Sequence, residues 1–225
     1  MECRREKGVT PTPCIPDRRR RRLVVAGGAF AALAGLPALA QALRLTPPTT
    51  EGPFYPDRLP ADRDADLARV AGRSGTAEGR LLYVAGRVLD ARGRPIPNAG
   101  IELWQANARG RYIHSADTDA SGPLDPNFQG YAALATDGEG RYRIRTVLPG
   151  PYPGRTRHLH FNFGSGRTKL TTQMFFEGER GNERDGVYRA LDAEERRAAT
   201  GHYVDRAAGM EPRSLAVSWD VVLRA

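Results

Sequence analysis

The chain is poor in cysteine and histidine, with two and four residues respectively among 225. Both cysteines, Cys3 and Cys14, precede an apolar run at 23–40, so the chain after that run contains no thiol. Without thiols it forms no disulfide and binds no metal through sulfur. Any metal there must therefore be held by histidine, tyrosine, aspartate or glutamate side chains.

Long uninterrupted apolar segments are also scarce. The run at 23–40 contains three glycines and a proline, which makes it a poor permanent membrane span. It follows five arginines, Arg18 to Arg22, and ends in Ala-Leu-Ala, which is the pattern of an export signal. The arginine pair favours the twin-arginine route over a plain Sec signal. We expect residues 1–40 to be removed after Ala40, leaving a periplasmic or extracellular chain; a retained leader would tether it to the membrane.

Little surplus charge remains outside this leader. The whole chain carries a formal charge of +8, and residues 1–40 hold eight basic against three acidic side chains. The remainder has 26 basic and 23 acidic residues, a surplus of only +3. Because most of the surplus belongs to the leader, the charge does not indicate a nucleic-acid partner.

Glycine and proline are abundant, with 25 and 17 residues, and they favour short strands and turns. Residues 41–80 have no helical period and predict an extended arm followed by a loop. From 81 to 225, short alternating segments between turns predict an all-β fold, an antiparallel β-sandwich of six or seven strands. At most one or two short helices are expected. The candidate is 192–200, with Asp192 as N-cap and Glu195 at the third helical position.

Half of the histidines lie in one short segment, RHLHFNF, at 157–163. On a strand, His158 and His160 share one face, and the opposite face carries Leu159, Phe161 and Phe163, which belong in the core. Two imidazoles on one face can hold a metal, although alternate histidines also occur on solvated faces. No Asp or Glu lies within fifteen residues upstream or downstream of the pair. This disfavours the familiar zinc and Fe(II) sites that add a carboxylate.

Tyrosines are the remaining ligand candidates near the pair. Tyr152 lies six residues before His158 in a Gly-Pro-Tyr-Pro-Gly frame, and Tyr112 follows the turn after the strand that contains Trp104. Tyrosine binds metals as phenolate, and with a pKa of about 10 this form needs a strong Lewis acid at neutral pH. Fe(III) is such an acid. Two phenolates, two neutral imidazoles and one hydroxide would leave an Fe(III) centre without net charge.

Four passages in order resemble the intradiol ring-cleavage dioxygenases, the family of protocatechuate 3,4-dioxygenase and catechol 1,2-dioxygenase. They are GRVLDARGRPIPNAGIELWQANARGRY, DPNFQGYAALATDGEGRYRIRTVLPGPYPG, RTRHLHF and KLTTQMFFEGE. The segment TEGPFYP at 50–56 resembles the family's entrance segment. The resemblance implies a β-sandwich with one non-haem Fe(III) at its edge. The short connection from Tyr152 to His158, and Gly154 in place of a bulky aromatic, suggest a small exported member with a more open site.

The resemblance also implies roles for individual residues. The iron ligands would be Tyr112, Tyr152, His158 and His160, with Tyr152 released when substrate binds. Arg155 and Gln173 would lie beside the substrate, with Arg157 as the rival of Arg155 and Tyr55 as a further substrate contact.

The implied reaction inserts both atoms of O2 into a small aromatic diol of the catechol type. The ring opens between the two hydroxyl-bearing carbons to give a cis,cis-muconate. The expected partners are this substrate and O2, with no nucleic acid and no stable membrane span after processing; a homo-oligomer is left open.

Two other classes of function stay open at this stage. Passages such as GRVLDARGRPIPNAGIELW also resemble transthyretin-like β-sandwich modules, which bind carbohydrate or protein and catalyse nothing. Such modules have no reason to retain all four ligand positions. A zinc or Fe(II) hydrolase or extradiol enzyme is disfavoured by the missing carboxylate. Of the remaining histidines, His114 is expected at the surface or near the site, and His202 at the surface.

Overall fold

The computed structural model describes residues 42–118 and 123–224. The predicted export signal at 1–40 lies outside these ranges, so its route and cleavage stay predictions. Within the described ranges, no helix has both the length and the apolar character needed to cross a membrane.

The described residues are mainly strands joined by turns, as predicted. They contain two short helices, α1 (Gly186–Ala190) and α2 (Ala193–Ala198), and one 3₁₀ turn at Asn182–Arg184. The strands are β1 (Leu81–Asp90), β2 (Gly100–Trp104), β3 (Tyr131–Ala135), β4 (Arg141–Val147), β5 (His158–Ser165), β6 (Thr168–Phe176), β7 (Thr200–Val204), β8 (Leu215–Ser218) and β9 (Val221–Leu223).

These strands pair in the order β3-β2-β5-β6-β7-β8-β1-β4, with β9 beside β1. Most neighbours are antiparallel, but β1 runs parallel to β8 and β9, and β6 runs parallel to β7. The structure therefore departs from a purely antiparallel arrangement at these pairs. Parallel neighbours need a crossover connection rather than a hairpin. Side chains alternate in the same way in parallel and antiparallel strands, so the sequence of one strand does not reveal the direction of its neighbour.

One apolar core is shared by the two halves of the sheet. Leu103, Phe161 and Met174 enter it from β2, β5 and β6, while Val84 and Ile144 enter from β1 and β4. Burial of such side chains is the main stabilising contribution, at roughly 25 cal/mol per Å² of apolar surface. Since β5 sends its apolar residues to this core, its alternate residues point to the opposite face of the sheet.

That opposite face is covered by the N-terminal arm. The Thr49 N–H donates to the carbonyl of Thr171 on β6 at 3.0 Å, and the Tyr55 hydroxyl donates to Glu102 of β2, which is opposite Asn162, at 3.1 Å. The predicted extended arm therefore lies along β6 as a strap, defined here as residues 46–56. The space between the strap and the sheet is where the two histidines of β5 point.

Helix α2 begins at the predicted cap. The Asp192 carboxylate accepts from the Glu195 N–H at 2.8 Å, and the Glu195 carboxylate accepts from the Asp192 N–H at 2.9 Å. We expect Asp192→Ala to lower the free energy of unfolding by about 1 kcal/mol, because a helix N–H loses its partner. Asp192→Asn keeps an acceptor and should remain close to wild type. Urea denaturation checks this, and equal stability of all three proteins would contradict it.

Candidate metal centre

Four side chains converge at the beginning of β5. The Nε2 atoms of His158 and His160 lie 3.0 Å apart. The Tyr112 hydroxyl is 3.1 Å from His160 Nε2, and the Tyr152 hydroxyl is 3.3 Å from His158 Nε2. Two ring nitrogens and two phenol oxygens therefore face one another in one small volume. These are the four residues that the sequence resemblance implies as ligands.

The two tyrosines meet because two turns pack closely. Gly110 has φ +85°, and a Cβ there would lie 2.5 Å from the Pro151 carbonyl oxygen. Only glycine therefore allows the turn at 107–111 to contact the segment that carries Tyr152. The rings of Tyr112 and Tyr152 lie 5.5 Å apart, edge to face.

Both histidines of the site are neutral. Burial lowers the pKa of His158 to about 3, with the Arg155 charge adding to the effect, and burial lowers the pKa of His160 well below its ordinary value. The Nδ1–H of His158 donates to the Thr156 carbonyl at 2.6 Å, which leaves its Nε2 without a proton. A neutral imidazole with a free Nε2 is the form that binds metals. His160 Nδ1 is buried and has no hydrogen-bond partner among the described residues.

The tyrosines respond to burial in the opposite sense. Burial raises the pKa of Tyr112 well above 10, and the neighbouring Tyr152 raises it further. Burial also raises the pKa of Tyr152, although the Arg155 charge works against this. Both phenols therefore keep their protons at neutral pH unless a strong Lewis acid binds the oxygen and displaces the proton. Among residues 42–118 and 123–224 there is no cluster of three His, Cys, Asp or Glu side chains, so only the phenols can complete a metal site here.

Arg155 and Gln173 lie on the Tyr152 side of the site. The Arg155 Nη1 is 3.3 Å from the Tyr152 hydroxyl, and its Nη2 donates to Gln173 Oε1. Gln173 is opposite His160 in the β5–β6 register, and its Nε2 donates to the Thr50 carbonyl of the strap at 2.8 Å. A guanidinium and an amide are thus held next to Tyr152, the ligand that the resemblance implies is released when substrate binds.

The two other predicted substrate contacts have different surroundings. Arg157 donates to the Pro149 carbonyl at 3.0 Å and pairs with Glu179 at 3.2 Å, so its charge is directed away from Tyr152. The Tyr55 hydroxyl donates to Glu102 at 3.1 Å, and its ring packs edge-on against Trp104. The structure places Arg155, and not Arg157, next to the four ligand candidates.

Several neighbours of the site were not assigned to it from the sequence. Trp104 is buried, and its ring stacks on His160 at 5.0 Å. Phe54 of the strap stacks on Tyr112 at 4.7 Å. The buried carboxylate of Asp185 accepts a hydrogen bond from Arg155 at 2.9 Å. Trp104 lies opposite His160 only through the β2–β5 register, which no local pattern reveals.

The remaining histidines lie outside the cluster. His114 is partly exposed, and its Nδ1 accepts from the Ala116 N–H at 3.0 Å. His202 is exposed on β7, as predicted, and lies 3.4 Å from Glu177. Neither histidine contacts the four ligand candidates.

Comparison with known families gives one consistent match. A family model, Dioxygenase_C, described as "Dioxygenase", matches residues 50–225. The chain is 39% identical over 174 residues to a protocatechuate 3,4-dioxygenase beta chain of Burkholderia cepacia, covering 72% of each. It is 34% identical over 153 residues to a catechol 1,2-dioxygenase of Acinetobacter baylyi, covering 60% of this chain and 47% of that one. The chain thus spans about half the length of that second relative.

Solved structures agree with these matches. The dioxygenase domain of a dioxygenase–carbohydrate-binding fusion protein from Streptomyces sp. SirexAA-E has a TM-score of 0.61 and 28% identity. The match covers 80% of this chain and 99% of that domain. A catechol 1,2-dioxygenase from Acinetobacter sp. ADP1 has a TM-score of 0.59 and 26% identity, with 80% and 62% of the two chains covered.

Proposed function

Because this chain belongs to the intradiol dioxygenase family, we propose that Tyr112, Tyr152, His158 and His160 hold one non-haem Fe(III) in it. Members of this family are typically non-haem iron enzymes that cleave the ring of catechol-type diols. The chain is accordingly an oxidoreductase of this ring-cleaving type. The observation that carries the iron assignment is the convergence of two neutral imidazoles, the buried phenol of Tyr112 and the half-buried phenol of Tyr152, with neighbouring donor atoms 3.0–3.3 Å apart.

The donor set suits Fe(III) better than zinc or Fe(II). Phenolate is a hard, anionic ligand, and two of them match a trivalent ion, whereas zinc and Fe(II) sites commonly include a carboxylate. Bound Fe(III) would supply a Lewis acid that chelates the diol as its dianion and makes the ring electron-rich enough to react with O2. In the overall reaction both oxygen atoms of O2 enter the product, so no external reductant is needed.

Tyr152 is suited to take one proton from the diol. Burial raises the pKa of this phenol above its ordinary value of 10.0. A Tyr152 phenolate that was not bound to a metal would therefore take up a proton and retain it at neutral pH. Its neighbour Arg155, with Nη1 at 3.3 Å, can hold the hydroxyl near the site afterwards.

Arg155 is suited to stabilise the negative charge of the bound diol. Its guanidinium is only 16% exposed, and in so dry a position its charge acts more strongly than it would in water. Gln173 accepts from one side of this guanidinium and donates to the strap, which keeps both groups in place. A binding module without catalytic activity would have no use for this arrangement around four ligand candidates.

The visible absorption spectrum of the purified, unreduced protein tests this function. We expect a broad phenolate-to-Fe(III) charge-transfer band that shifts when catechol is added, followed by consumption of O2 and release of a muconate. Protein depleted of iron by a chelator is the matched control and should be colourless and inactive. A protein that stays colourless after reconstitution with Fe(III) would rule out the proposed ligand set.

A further inference from the structure

A fully buried carboxylate lies just outside the proposed iron site. The side chain of Asp185 has an exposed fraction of 0% and accepts four hydrogen bonds. Oδ2 accepts from Arg155 Nε and from the Thr156 N–H, both at 2.9 Å. Oδ1 accepts from the N–H groups of Val187 at 2.9 Å and Tyr188 at 3.1 Å, at the beginning of α1. One carboxylate thus joins helix α1 to the segment that leads into β5.

The first consequence concerns the orientation of Arg155. A guanidinium is planar, with its donors in a fixed fork. Because Nε donates a hydrogen bond to Asp185, the orientation of the guanidinium plane is fixed, and the two Nη atoms are directed at Tyr152 and Gln173. The buried negative charge also compensates the cost of holding the Arg155 cation in a mostly dry position.

The second consequence concerns His158. The backbone of Thr156 lies between the two groups: its N–H donates to Asp185, and its carbonyl, in the next peptide unit, accepts from His158 Nδ1 at 2.6 Å. Anchoring Thr156 by its N–H restrains the residue whose carbonyl selects the tautomer of His158. Hydrogen bonds of this kind orient metal-binding histidines.

The chain is built to bring Asp185 this close. A Cβ on Gly181 would lie 2.5 Å from the Thr156 hydroxyl, so only glycine permits the contact between the two segments. Asn182 anchors the same turn to the end of β6, where its Nδ2 donates to the Phe176 carbonyl at 2.9 Å. An ordinary helix cap needs neither feature. Asp192, the cap of α2, contacts none of the proposed ligands.

We propose that Asp185 is a positioning residue for ring cleavage, which acts by orienting Arg155 and, through the backbone of Thr156, His158. This inference rests on the proposed function. Asp185 touches neither substrate nor iron, and its effect on the reaction passes through the two residues that it holds.

The test compares Asp185→Asn and Asp185→Ser with Asp192→Asn in the iron-loaded enzyme. Asparagine and serine both keep an acceptor for the helix N–H groups, but neither presents a carboxylate to Arg155. We expect kcat for catechol to fall roughly 10- to 100-fold in both Asp185 variants, the usual effect of removing a partner that orients a metal ligand. The charge-transfer band should shift, iron content should stay near one per chain, and Asp192→Asn should remain within about twofold of wild type.

A double-mutant cycle separates positioning from folding. In an Arg155→Ala background we expect the effect of Asp185→Asn to shrink to roughly threefold, because contacting residues are not additive. Gly181→Ala keeps the carboxylate but pushes its segment away from Thr156, so it should lower kcat as well. The proposal would be overturned if Asp185→Asn lowered kcat equally with and without Arg155. It would also be overturned if Gly181→Ala kept the wild-type kcat, or if the Asp185 and Asp192 variants changed kcat equally. A wild-type enzyme that forms no muconate would instead refute the proposed function.

Discussion

Replacing His160 with alanine should leave a protein that binds no stoichiometric iron and cleaves catechol more than about 100-fold more slowly than wild type. Removing a residue that only hydrogen-bonds to a metal ligand costs ~10- to 100-fold. The loss should be larger here because His160→Ala removes one of the four proposed ligands itself. Among the described residues, no group of three His, Cys, Asp or Glu side chains could hold the ion instead. Metal analysis and O2 uptake give the two measurements.

Matched histidine variants make the interpretation specific. His202→Ala removes an exposed ring on β7, and His114→Ala removes a partly exposed ring near Phe54; both should keep iron and activity. The thermal unfolding of each variant should be measured as well, so that loss of folding is distinguished from loss of iron, because His160 is buried under Trp104. Retention of one iron per chain in a folded His160→Ala protein would show that the ligand set is wrong.

Replacing Arg155 with alanine should lower kcat by about 10²- to 10³-fold, the usual cost of removing one preorganised charge-stabilising group. Iron and colour should be retained, because Arg155 is not a ligand. The charge-transfer band should nevertheless shift, because the Arg155 charge works against the rise in the pKa of Tyr152, and its loss leaves the phenolate less stable. Steady-state kinetics and the visible spectrum of the same preparation check both parts.

The neighbouring arginine provides the control. Arg157→Ala removes an equal charge two residues away, but this side chain bonds to Pro149 and Glu179 outside the cluster. We expect its kcat to lie within about threefold of wild type, as for a surface charge. A larger loss in Arg157→Ala than in Arg155→Ala would reverse the assignment of the two arginines.

The parts of the site that could be predicted are those with local causes. Alternation along one strand is enough to place His158 and His160 on one face, away from Leu159 and Phe161. The cap of α2 follows from four consecutive residues. Tyr112 and Tyr152 were ligand candidates by residue type, and the family resemblance assigned them to the site; their approach could not be derived, since it depends on two turns that meet in space.

The parts that could not be predicted depend on pairing between distant segments. Trp104 reaches His160 through the β2–β5 register, and Asp185 reaches Arg155 from 30 positions further along the chain. Asp185 is the N-cap of α1, and this helix has only five residues, which is too short for a recognisable helical period in the sequence. The Tyr55 hydroxyl donates to Glu102, a partner that only the fold brings near, and the substrate contact of Tyr55 stays a prediction.

The strap has a consequence for how the site is assembled. Thr50 accepts a hydrogen bond from Gln173 and Phe54 covers Tyr112, so one wall of the site comes from a segment more than one hundred residues before the histidines. Because wall and histidines share one polypeptide, they meet at an effective concentration in the millimolar range, which no dilution of the protein can lower. Closing this wall is therefore part of folding, and it does not require the encounter of two chains.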